Sequence, residues 1–213
     1  MCKNTKMGNL DDSERLVQYL NVRGIAEPDD VKPGWAHVGA IALDAAIQPQ
    51  RDYEKVVRPR VERLIAEHPA ASTTSGFLAL AASKDLTEVV NYAYTERVNL
   101  AVRIAEVFRD HGIETSENLQ DALNDDESRV TLRAQLGRLK FVGPKTLGYI
   151  DILAGSAEGV AIDSRVLRVL ANAGITNVTY DQAETVIRAA ASKLEWSVGG
   201  LDAVLWRIGE RPS

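Results

Sequence analysis

Apolar residues recur three and four positions apart along most of the chain, and no run alternates apolar with polar side chains. A period near 3.6 without a period of 2 restricts the chain to helices packed on helices. Val98, Ala101, Ile104, Ala105 and Phe108 give the clearest stripe, closed by Gly112. Similar spacing predicts a helix starting near Asp11, a buried one over Trp35 to Ile47, and one along Tyr53 to Leu64 distorted at Pro59. Short helices are expected over Phe77 to Ala82, Leu86 to Ala93, Ser116 to Leu123 and Val130 to Leu139. Others follow from Pro144, over Val166 to Ala173 with a stop at Gly174, over Tyr180 to Leu194 capped by Asp181, and after Gly199-Gly200. About a dozen short helices joined by polar loops make an all-α protein.

A chain of 213 residues with 45% apolar residues can bury a substantial core as one bilobed domain or two small ones. The apolar runs are too short and too often interrupted by charge for a membrane span. Met1 to Asn9 lacks the apolar core of a secretory signal, which predicts a cytoplasmic protein. Cys2 is the single cysteine, so no internal disulfide, cysteine zinc site or four-cysteine iron–sulfur cluster is expected. His37, His68 and His111 have no ligand spacing, and Asp125, Asp126 and Glu127 are expected to form a loop or cap; no metal site is predicted.

The net charge of −5 argues mildly against nucleic-acid binding, whose phosphate contacts come from Lys and Arg, but the charge is unevenly spread. From residue 129 to 168, Arg129, Arg133, Arg138, Lys140, Lys145, Arg165 and Arg168 stand against Asp151, Glu158 and Asp163. Such a basic stretch is either a nucleic-acid contact or a solvated helix face. Within it, Leu139-Lys140-Phe141-Val142-Gly143-Pro144-Lys145-Thr146 runs from a helix end through a tight turn into a second helix. Unpaired N–H groups at that start attract anions. Gly143 and the N–H groups of Lys145 and Thr146 are expected to hold a phosphate; Pro144 has no N–H to give. Asp163, 18 residues after Lys145, is placed to cap a third helix.

Together, Leu139 to Thr146 and Ala161-Ile162-Asp163-Ser164-Arg165-Val166 resemble the signature of the helix-hairpin-helix DNA glycosylase superfamily, nearest its endonuclease III-like branch. The likeness extends to Ala45 through Gln50, which resembles a DNA-probing glutamine loop with Gln48 as the glutamine. Tyr92-Ala93-Tyr94 resembles the loop that wedges into the duplex. It covers roughly residues 35 to 175. Departures stand beside it. Phe141 replaces a glycine of the hairpin, Leu147 replaces a common alanine, and Arg165 replaces a common histidine. The wedge position carries the small Ala93, so Tyr92 is expected to take that role.

The resemblance implies a two-lobed helical fold, with a central lobe over residues 30–157 and a second lobe made of 1–29 plus 158–213. It implies a monomer acting on double-stranded DNA that carries a modified or damaged base, without an iron–sulfur cluster. No cofactor is expected; the resemblance leaves room for a monovalent cation at the hairpin, but Phe141 stands where the glycine admitting it would be. Lys145 is the implied nucleophile for base excision with strand cleavage, and Asp163 the implied carboxylate. Gln48, Tyr92, Lys140, Val142, Gly143, Thr146 and Arg165 are the implied DNA contacts. Each role has a plainer counterpart. Asp163 can simply cap a helix, Lys145 can simply touch phosphate, Lys140 can be a solvated charge and Gln48 an idle loop residue. Two other outcomes fit the same scaffold: remodelling of a modified thymine, as ascribed to viral relatives, and passive grip on duplex DNA. A nucleoid-associated or virus-encoded protein would suit either enzymatic reading.

Overall fold

The computed structural model describes residues 10–26 and 34–209. Cys2 and the polar stretch Met1 to Asn9 lie outside them. Among the described residues the secondary structure is all helical, with no strand. The α-helices are α1 (Asp12–Val22), α2 (Val38–Ile47), α3 (Arg58–Glu67), α4 (Thr74–Ser83), α5 (Leu86–Val89) and α6 (Thr95–Asp110). They continue as α7 (Ser116–Asn124), α8 (Asp126–Leu136), α9 (Pro144–Leu153), α10 (Ser164–Asn172), α11 (Tyr180–Leu194) and α12 (Val198–Ile208). None is long and apolar enough to cross a membrane.

Local chemistry sets most boundaries. Asp11 opens α1 in a reciprocal capping box with Glu14, and Thr115 does the same for α7 with Asn118. The distortion expected at Pro59 falls upstream of it, as a π-helical turn over Tyr53–Val57, and Pro59 itself sits harmlessly in the first turn of α3. Three expectations need correcting. Helix α11 is capped by Thr179, whose hydroxyl and Gln182 form the box, and not by Asp181. Helix α12 runs through Gly199-Gly200, because Ser197 accepts from Gly200 N–H and fixes an earlier start. Helix α5 stops at Val89, since Asn91 adopts a positive φ that ends the turn.

The chain forms two compact units, Val31–Ala161 and Met1–Asp30 with Ile162–Ser213. In the first, α2 is buried on every side, as its near-uniformly small and apolar sequence demands. Helices α3, α4, α6 and α9 pack around it. Phe77, Ile41, Leu43, Leu100, Ile104 and Phe108 are fully buried there, each contributing roughly 1.5–3 kcal/mol over an exposed position. In the second unit α1 packs on α11, and α12 packs on both α10 and α11, around Leu16, Leu20, Val166, Leu170, Ile187 and Leu205. Lys193 of α11 pairs with Asp11 at 3.0 Å, fastening the start of α1.

Candidate nucleic-acid interface

In the first unit, α8 and α9 form a helical hairpin. Helix α8 ends at Gly137, and Arg138, Leu139 and Val142 donate to Gln135, Leu136 and Leu139 carbonyls, winding the chain through a tight turn. An ion pair between Arg133 and the buried Asp151 joins the two helices. Gly148 sets how closely α9 packs, because an added Cβ would fall 1.7 Å from the Val160 carbonyl oxygen. The space there is closed to any side chain.

Phe141 occupies the turn with φ +76°, a left-handed conformation that is costly for a residue with a Cβ. Two cations lie against its ring, the Arg97 guanidinium at 4.5 Å and the Lys140 ammonium at 4.6 Å. Lys140 also pairs with Glu96 at 3.1 Å, and that ammonium holds the Glu96 carboxyl below its usual range. The first turn of α6 is therefore docked against the hairpin turn through Glu96 and Arg97. Lys140, expected to contact DNA, already has an acidic neighbour.

Helix α9 starts without a side-chain cap. Its N-cap is Gly143, at φ −112° and ψ −178°, an extended backbone open to any residue. No atom lies within 4 Å of where a Gly143 Cβ would stand. Neither conformation nor packing calls for glycine here; its absent side chain leaves the helix start uncovered. The N–H groups of Lys145 and Thr146 take no hydrogen bond among the described residues, and Pro144 contributes none. Lys145 is exposed, and no carboxylate among the described residues pairs with it.

In the second unit, Asp163 is half-buried and caps α10. One carboxylate oxygen accepts from Arg165 N–H at 2.7 Å and Val166 N–H at 3.1 Å. No hydrogen bond among the described residues uses the other oxygen. Arg165 lies over the Trp206 ring at 4.0 Å, and 46% of Trp206 is exposed.

The remaining expected contacts divide. Gln48 is the half-buried C-cap of α2, donating its N–H to Asp44. Tyr92 does not fit the wedge role. Only 8% of it is exposed, its hydroxyl accepts from Arg51 Nε at 3.2 Å, and the Arg60 guanidinium covers its ring. Tyr94, 42% exposed, is the accessible aromatic of that loop. Val142 is also buried, and its N–H is taken by the Leu139 carbonyl, so it cannot donate to a phosphate. Thr146 is buried as a side chain and offers its backbone alone. Among the described residues no three His, Cys, Asp or Glu side chains gather as a metal site would require.

Sequence reasoning missed Asp44, wholly buried in α2. Its carboxylate accepts from Trp35 Nε1 at 2.8 Å, the Tyr149 hydroxyl at 3.0 Å and the Tyr53 hydroxyl at 3.3 Å. Burial pushes its carboxyl up, opposed by these three donors. Burial, followed by the charge of Asp44, pushes both tyrosine hydroxyls up, which keeps them protonated as donors. The one available signal was an aspartate inside an otherwise apolar helix.

These features define an all-α protein carrying a helical hairpin with an uncapped, uncovered helix start. Residues 44–210 match the model of a family described as a domain of unknown function (DUF8548), and the chain belongs to that family. No curated protein and no solved structure matches it.

Proposed function

We propose that the protein is a two-lobed helix-hairpin-helix DNA glycosylase with associated strand-cleaving activity, acting on a modified or damaged base in duplex DNA. The observation that carries the reading is the start of α9. After a glycine with open space beside it come two N–H groups that take no hydrogen bond, next to an exposed lysine that no carboxylate pairs with, among the described residues. A phosphate diester satisfies such donors, and the helix dipole favours its charge. Base flipping would then bring the sugar to the enzyme's reactive groups.

In the proposed reaction the Lys145 amine attacks C1′. The bond from C1′ to the base breaks, and the base leaves with the electron pair and then takes a proton. Ring opening gives a Schiff base, and loss of a C2′ proton expels the 3′ phosphate. Asp163 supplies the carboxylate that stabilises positive charge on the sugar, and the proton of the attacking amine passes to solvent. Its oxygen not engaged in capping is the one suited to that work.

A second reading, passive DNA grip, draws on the exposure of Lys145 and the capping duty of Asp163. The two readings separate when duplexes bearing different modified bases are incubated with protein and borohydride. Released base plus a covalent adduct is the expected result. Tight binding with neither, on every duplex, supports the passive reading.

A further inference from the structure

We propose that Asp44 is a positioning residue: its carboxylate, tied to Trp35, Tyr53 and Tyr149, fixes the rotation of α9 and thereby the place of Lys145. Tyr149 lies four residues beyond Lys145, on the same side of α9 and one turn along. Its hydroxyl donates to Asp44 at 3.0 Å across 105 residues of sequence. Two further restraints act on the same helix. Gly148 seats it against the Val160 carbonyl, and Asp151 ties it to Arg133 of α8. A helix held at Gly148, Tyr149 and Asp151 has little freedom to turn about its axis.

The chemistry of the cluster argues for direction rather than bulk stability. Asp44 is wholly buried, and no cation among the described residues compensates it. A carboxylate held in the interior by neutral donors alone is expensive, and apolar residues of similar volume fill such a space as well or better. What the apolar alternative lacks is geometry, because three directed hydrogen bonds admit one arrangement of Trp35, Tyr53 and Tyr149. Asp44 also lies one turn before Gln48, and its carbonyl accepts the Gln48 N–H. One side chain thus relates the end of α2 to the start of α9.

The inference rests on the lyase reading for its functional half, so the test is built to fail separately. The probe is a duplex with a single abasic site, which needs no knowledge of the base. Borohydride-trapped adduct is followed with the full-length wild type, Asp44→Asn and Tyr149→Phe, and with Leu119→Ala as a destabilised comparator in α7. At saturating DNA, Asp44→Asn is expected to slow trapping about 10- to 100-fold and Tyr149→Phe by less. The half-saturating DNA concentration stays unchanged, and Leu119→Ala traps at the wild-type rate although it melts earlier. Hydrogen exchange at the Leu147 and Gly148 amides is expected to quicken in Asp44→Asn while that of α6 holds. Wild-type trapping rates in Asp44→Asn, or slowing no greater than in Leu119→Ala, would overturn the proposal. If the wild type forms no adduct, the lyase reading fails. Exchange then decides the structural half alone: unchanged α9 protection in Asp44→Asn refutes it, and quickened exchange sustains it.

Discussion

The starts of α9 and α10 are built in opposite ways. Helix α10 satisfies itself: Asp163 folds one oxygen back onto the N–H groups of Arg165 and Val166. Helix α9 begins with a glycine and a proline, takes no side-chain cap and leaves Lys145 and Thr146 N–H uncovered. A self-capped start is complete without a ligand, whereas an uncapped one gains by meeting an anion. Under the proposed function the two elements do different work: the start of α9 would receive DNA backbone, and Asp163 would present its remaining oxygen for chemistry.

The sharpest way to break that contrast is to separate capping from charge at Asp163. Asparagine caps as well as aspartate, so Asp163→Asn should leave the melting temperature unchanged. Adduct formation should nonetheless fall on the order of 100-fold or more. Parallel loss of both, or of neither, would make Asp163 a cap only. Lys145→Ala should abolish the adduct and leave folding intact, since its side chain is exposed and packs into no core.

The next contrast lies within α9. Gly148→Ala drives a Cβ into the Val160 carbonyl and should cost on the order of 3 kcal/mol in denaturant unfolding. Gly143→Ala meets nothing and should unfold like wild type, yet weaken duplex binding about tenfold by covering the helix start. Equal binding by Gly143→Ala would remove the observation on which the functional reading rests.

Much of this was legible in advance. A period of 3.6 in stripes such as Val98 to Phe108 is local physics, so the all-helical class followed from it. Asp163 could be read as a cap because caps depend on a few adjacent residues. The burial of Tyr92 could not, for the atoms that contact it belong to Arg51 and to Arg60 of α3, both distant in sequence. The Asp44 cluster was equally hidden, as Tyr149 meets it only after the chain has folded back. At Phe141, where the resemblance leads one to expect glycine, the backbone is left-handed and two cations lie against the ring.

That position supplies a smaller test. Phe141→Ala keeps the unfavourable φ and loses the ring, while Phe141→Gly relieves the backbone. The glycine variant should be the more stable of the two by about 1 kcal/mol. A pH titration of stability gives the finest distinction. Asp44 has a folded carboxyl raised above its ordinary value of 3.8. Its contribution therefore favours the folded state at low pH and declines as pH rises from the unfolded value through the raised folded one. Asp44→Asn should remove that decline. Asp11, lowered by Ser13, Glu14 and Lys193, acts in the reverse sense, with stability present above the unfolded value and lost on acidification.

The most direct measurement is peptide mapping by mass spectrometry of the protein after borohydride reduction on an abasic duplex. One nucleotide-bearing peptide, modified at Lys145, is the expected result. An unmodified protein, or a modification on any other amine, would contradict it.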